Sequence, residues 1–172
     1  MEMLHVGATG TAAVGACCLV PEVRRSWREL LLTALMAVAM LDQLTGIIGI
    51  PVVFWAALTV GAVLALSARR SIRHEPGHVR AMHALLGVGA ILMAALMVVG
   101  GASGHDAAVA HQHGASLVAI VLVLAVASVA HVTGSLVLAT RHSSGLPRRV
   151  HEASMALSML MMVASAVVMV WE

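Results

Sequence analysis

Methionine and histidine are the residues of this sequence whose type and spacing could do chemistry. The sequence holds 12 methionines and 10 histidines, but only one Phe and no Tyr. Many of the methionines recur at helical spacing, which brings side chains to one face of an α-helix. We call these sets methionine ladders. They are Met36 and Met40; Met82, Met93 and Met97; and Met155, Met159 and Met162, which follow Glu152 at the same spacing.

The spacing of the methionines indicates a series of thioether ligands along which copper could pass. A thioether is a soft ligand that selects Cu(I). Because it carries no charge of its own, little charge must be desolvated in an apolar setting. The alternative is that these adaptable side chains only fill irregular gaps between helices. The candidate copper ligands of this group are Met36, Met40, Met93, Met97 and Met159, with His83 at the end of the path.

A second group of candidate ligands lies in the stretch GGASGHDAAVAHQHG, residues 100–114. His111 and His113 form an H-x-H pair, and His105 precedes them. Imidazole suits Cu(II) and Zn(II). The alternative is a plain polar loop. We hypothesise that His105, His111 and His113 meet copper and pass it to the thioethers.

Two other kinds of chemistry are less well supported. His74 to His78 match the H-E-x-x-H pattern of zinc proteases, but Pro76 lies between the histidines. A proline inside a helix costs about 3 kcal/mol, so these residues fit a helix start better, and an enzyme is the least supported class. Haem would need two histidines at matching depth, which only His83 and His151 offer. The structural alternative is that these histidines, and His131, bond to carbonyls or hydroxyls of neighbouring helices.

Composition places all these residues in a membrane protein. The sequence is 60% hydrophobic and 10% charged, whereas soluble domains carry about 25% charged residues. The net charge is only +2, and the arginines lie in short segments, so nothing indicates a nucleic-acid partner. Cys17 and Cys18 are adjacent and have no distant partner, so no disulfide framework is expected.

The hydropathy pattern predicts an all-α integral membrane bundle, a single domain over residues 1–172. Each apolar run has roughly the 17–25 residues needed to cross a bilayer as a helix. The first run precedes its arginines, which argues against a cleaved signal. In it Gly7, Thr11 and Gly15 are spaced by four, a pattern that lets helices approach closely. The six predicted transmembrane helices are about 3–20, 29–44, 51–67, 77–99, 115–139 and 152–170.

The arginines predict the orientation of these helices. All ten basic residues are Arg. Nine fall between spans one and two, three and four, or five and six, and Arg80 lies in the first turn of span four, on the same side. The positive-inside rule makes that face cytoplasmic. The sequence therefore predicts a multi-pass protein of the plasma membrane with both termini outside.

The fourth predicted span carries a resemblance to a known family. A basic stretch is followed by HALLGVGA, in which the matching positions are His83, Leu85, Leu86, Gly87 and Ala90. This resembles the actinobacterial multi-helix membrane proteins designated domain of unknown function 5134. Those proteins also tend to carry methionine pairs in an early helix and in the last helix, as Met36/Met40 and Met155/Met159 do here. Ile91 departs from a methionine expected in that family. The resemblance covers nearly the whole chain and implies a membrane-embedded helical bundle, with no established activity.

Two functions from different classes follow. The leading hypothesis is a small membrane protein that handles copper. The alternative is an accessory subunit that packs against itself or other membrane proteins, in which small residues and methionines only pack helices.

Overall fold

The computed structural model of the protein describes residues 2–19, 23–68, 77–102, 114–142 and 145–171. Over these ranges there are six α-helices and no strand, which confirms the all-α prediction. Helices α2 and α6 begin six residues before the predicted spans, because the arginine-bearing segments continue the same helices. The helices are α1 (Glu2–Leu19), α2 (Val23–Thr45), α3 (Val52–Ala68), α4 (Gly77–Ala102), α5 (Gly114–His142) and α6 (Leu146–Trp171).

Three helices in the described part of the chain contain a stretch long and apolar enough to cross a membrane. These are Arg80–Gly100 and Val118–Arg141, each with a mean hydropathy of 2.3, and Arg148–Val168, with 1.4. Val6–Cys18 in α1 and Val52–Ala68 in α3 are apolar but shorter. Helix α2 carries charged residues near both ends, which lowers its hydropathy. Length and composition thus support three spans, and the number six stays a prediction.

Consecutive helices pack against each other, and the ring closes where α1 packs against α6. Helix α4 also contacts α2 and α6 across the middle of the bundle. The core therefore lies between α2, α4 and α6, where Met93 and Met97 are among the largest fully buried side chains.

Small residues allow the close contact between α1 and α6. A Cβ on Gly7 would come within 3.0 Å of the Met161 sulfur, and the Ser158 hydroxyl donates to the Ala8 carbonyl at 2.9 Å. The expected role of Gly7 and Gly15 is confirmed, since both face α6. The Thr11 hydroxyl instead bonds within its own helix, to the Gly7 carbonyl at 3.0 Å.

Candidate functional site

A cavity of about 60 Å³ lies between α2, α4, α5 and α6. One water molecule needs roughly 10–15 Å³ of such space, so the cavity has room for an ion or for a few water-sized groups. Its walls are rich in thioethers, because methionines of three helices converge on it. These are Met36 from α2, Met82 and Met93 from α4, and Met155 and Met159 from α6.

Helical spacing explains how the methionine ladders reach the same cavity. On α6, Met155 and Met159 are four residues apart, and Glu152 precedes them by three. On α4, Met82 and Met93 are eleven residues apart, which is close to three full turns. Both sets therefore lie on one side of their helix, and the packing of α4 against α6 turns those sides toward each other.

His131 brings an imidazole to the cavity from α5. Its ring lies against α4 at Gly89, where a Cβ would come within 2.7 Å of the ring Nε2. Glycine therefore leaves the room that this ring occupies. The Nδ1 atom of His131 is buried and has no hydrogen-bond partner among the described residues. An unpaired buried polar atom costs about 1–3 kcal/mol, and no hydrogen bond from the described residues offsets that cost here.

His151 lines the cavity from α6 and is oriented by α1. Its Nδ1 lies 2.9 Å from the Gly15 carbonyl oxygen. Because a carbonyl can only accept, Nδ1 carries the proton, and the lone pair of the neutral ring is on Nε2. For His151 this confirms the structural alternative, a bond to a carbonyl of a neighbouring helix, whereas His83 pairs with the Glu29 carboxylate. Histidines that bind metals are commonly oriented by such a bond from the other ring nitrogen.

An ionic cluster lies beside the cavity, near the arginine-bearing ends of the helices. The Glu29 carboxylate oxygen Oε1 is 3.3 Å from His83 Nε2 and 3.3 Å from Arg148 Nη2. Glu29 and His83 border a second cavity of about 30 Å³, and Leu86 borders both cavities. The cluster joins α2, α4 and α6 next to the methionine-lined space.

Two lining side chains near those same ends are more exposed than the lining methionines at the middle of the bundle. Met36, Met93 and Met159 are 4%, 1% and 4% exposed. Met82 and Glu152, which lie nearer the arginines, are half-buried. The cavity therefore has a buried end at the middle of the bundle. Its wall near the arginines is exposed only in part, since His151 there is 2% exposed.

The structure brings together some of the sequence-predicted ligands. Met36, Met93 and Met159 line the cavity. Met40 and Met97 are buried in the core but do not border it, and His83 is bound to Glu29 beside it. The candidate loop ligands His105, His111 and His113 lie outside the described residues, as do His74 and Glu75 of the H-E-x-x-H match.

Five lining residues with potential donor atoms were not among the ligands predicted from the sequence: Met82, Met155, His131, His151 and Glu152. The signal for Met82 and Met155 was present, since both belong to the ladders. The sequence did not predict that His131 and His151 line the same cavity, because their relative positions depend on how α5 and α6 pack.

Most of the potential donors at this cavity are thioethers, which are soft ligands. Within the described ranges, no group of three or more His, Cys, Asp or Glu side chains is placed to hold a metal ion. The cavity instead offers thioethers, two imidazoles and the carboxyl of Glu152. This donor set fits Cu(I) better than Zn(II) or Mg(II), which take nitrogen, thiolate or oxygen ligands.

Comparison of the chain with protein-family models, curated proteins and solved structures finds no significant match.

Proposed function

We propose that this protein binds Cu(I) within the membrane, at the methionine-lined cavity, and serves as a small copper-handling protein. The observation that carries the proposal is the convergence of five thioethers and two imidazoles on one cavity between four helices. Packing alone would let methionines fill gaps anywhere in the core. Packing alone does not explain why so many methionines border one cavity.

The proposed role of each lining residue follows from its position in the cavity. Met93 and Met159, at the buried end, supply buried sulfur, and Met155 supplies sulfur nearer the arginines. His151 offers Nε2, because its Nδ1 is bonded to Gly15. Glu152, on the wall, supplies a carboxylate that balances the single positive charge of the ion, which reduces the cost of holding that ion away from water.

The proposed topology is six transmembrane helices in the plasma membrane with both termini outside. Supporting it are the arginines, all on one side of the predicted spans, and three helices of suitable length and hydropathy. The end of the cavity nearer the arginines then faces the cytoplasm. On the outer side, His105, His111 and His113 would meet copper, and Met40 and Met97 would carry it inward.

One observation favours the accessory-subunit alternative. Only 11% of the stretch Val118–Arg141 in α5 is buried, so α5 presents a long apolar face that another membrane protein could cover. Haem binding is less favoured, because a cavity of about 60 Å³ is well below the roughly 300 Å³ of sites for drug-sized ligands.

Reconstitution of purified protein with Cu(I), followed by metal analysis and an optical spectrum, tests the proposal. We expect copper in a fixed ratio to protein and no haem absorption. Protein that binds no copper after reconstitution would contradict the proposal and favour the accessory-subunit alternative.

The proposed route from the outer side is tested by Met40→Leu with Met97→Leu. In vesicles, this variant should take up copper from outside more slowly than the parent protein. An unchanged loading rate would remove both residues from the route.

A further inference from the structure

The turn between α2 and α3, residues 46–51, has an unusual arrangement of backbone donors. Gly46 and Gly49 have φ angles of 63° and 69°, in the left-handed region that glycine adopts without strain. These two glycines bend the chain back toward Asp42, near the end of α2. The Asp42 side chain is only 4% exposed, so the turn folds over it.

Asp42 accepts hydrogen bonds from both the backbone and a side chain of this turn. Its Oδ1 accepts from the amides of Ile48 at 2.8 Å and Gly49 at 3.0 Å. Its Oδ2 accepts from the Ile50 amide at 3.2 Å and from Trp55 Nε1 at 2.8 Å. One carboxylate thus pairs three consecutive backbone N–H groups.

The remaining donors of the turn are also paired. The Gly46 amide donates to the Asp42 carbonyl at 2.7 Å, and the Ile47 amide donates to the Thr45 hydroxyl at 3.4 Å. Pro51 has no N–H, and its carbonyl accepts from Phe54 at 2.9 Å. Every backbone N–H from residue 46 to residue 50 therefore has an acceptor within the chain, as a hydrocarbon environment requires.

The surface of the turn is apolar and uncharged. Ile47 is 81% exposed, and Phe54, in the first turn of α3, is 64% exposed. From Gln43 to Ala68 the sequence has no Asp, Glu, Arg, Lys or His. A turn in water would leave these side chains unfavourably hydrated.

The length of α3 agrees with a turn that lies below the membrane surface. Its 17 residues span about 25 Å at 1.5 Å per residue, a few ångströms short of a hydrocarbon core of about 30 Å. The α2–α3 hairpin then reaches the hydrocarbon of the far leaflet with its turn still in contact with acyl chains.

We propose that the α2–α3 turn is immersed in one leaflet of the bilayer, with Ile47, Ile48 and Phe54 among the acyl chains. Asp42 makes this possible by pairing the amides that would otherwise need water. The carbonyl oxygens of the turn place it at the boundary with the headgroups, where water is still present. The partner of this surface is lipid, and the proposal is independent of copper binding.

The test is a depth measurement with nitroxide labels on the full chain. Cys17 and Cys18 are first replaced by Ser, and single cysteines are introduced by Ile47→Cys or Ile48→Cys. The labelled protein is reconstituted in phosphatidylcholine–phosphatidylglycerol vesicles. Collision of the label with oxygen, which concentrates in lipid, is compared with collision with a water-soluble nickel chelate. Val126→Cys, at a position 69% exposed on α5, is the lipid-facing control.

Leu146→Cys is the matched control, because Leu146 is 76% exposed but is the first residue of α6, close in sequence to Arg141 and Arg148. We expect the labels at positions 47 and 48 to collide mainly with oxygen, like the label at 126, and the label at 146 to collide more with nickel. A nickel-accessible label at 47, equal to that at 146, would overturn the proposal. Low collision with both reagents would also overturn it, since it would show that protein covers the turn.

Discussion

At the scale of single residues, Gly89 decides whether the His131 ring can occupy its place at the cavity. A Cβ there would come within 2.7 Å of the ring nitrogen, so Gly89→Ala must displace the imidazole. We expect copper affinity to fall by roughly 10–100-fold, the usual effect of disturbing a residue that orients a ligand. A competition titration of Cu(I) against a chelator measures it.

The control for this change is Gly61→Ala, because a Cβ on Gly61 meets nothing within 4 Å. In a helix the Gly→Ala change alone favours folding by about 1 kcal/mol. Equal copper affinity in the two variants would show that the position of His131 does not matter to the site.

Asp42 is the second residue with a distinct role, since four donors depend on its carboxylate. We expect Asp42→Ala and Asp42→Asn to lower the midpoint of thermal unfolding in detergent. An asparagine replaces one acceptor oxygen by an NH₂ group that faces other donors. Gln43→Ala, at the exposed neighbouring position, should have little effect. Asp42 variants as stable as this control would mean that the turn holds its shape without the carboxylate.

At the scale of helices, the contact between α1 and α6 depends on small residues. Ala12 lies one helical turn after Ala8, whose carbonyl accepts from Ser158 of α6, and is 1% exposed, whereas Ala13 beside it is exposed. We expect Ala12→Leu to destabilise the protein by about 1–3 kcal/mol through overpacking, and Ala13→Leu to have a small effect. Thermal unfolding of both variants in the same detergent measures the difference. The same loss in both would place the α1–α6 contact elsewhere on α1.

The presence of the helices could be predicted from the sequence, since apolar runs long enough to cross a membrane leave few alternatives to a helix. The first residues of α2 and α6 were harder to predict, because charged residues such as Arg148 extend each helix beyond its apolar part. The cavity could be predicted only in part. Spacing placed Met36 and Met40 on one ladder, but which of them faces the cavity depends on how α2 packs against α4. For the same reason, the sequence did not place His131 among the predicted ligands.

At the scale of the whole molecule, the arginine asymmetry predicts how the bundle sits in the membrane. In a background without Cys17 and Cys18, we expect a cysteine introduced by Ala107→Cys to react with an impermeant maleimide in whole cells. A cysteine introduced by Ser71→Cys, among the arginines, should react only after the cells are opened. Labelling of position 71 but not position 107 in intact cells would reverse the orientation.

The central claim is that the methionine-lined cavity is the copper site, and paired Met→Leu changes test it most directly. Such changes keep side-chain volume and usually cost less than about 1.5 kcal/mol, but they remove sulfur. Met93→Leu with Met159→Leu removes two buried cavity thioethers. Met162→Leu, at a buried position on α6 that does not border the cavity, is the control.

The measurement is copper bound per folded protein after reconstitution with Cu(I). We predict that the Met93→Leu, Met159→Leu variant loses most of its copper while it stays folded, and that Met162→Leu binds as much as the parent. Equal copper in the double variant and the parent would contradict the assignment of the site to this cavity.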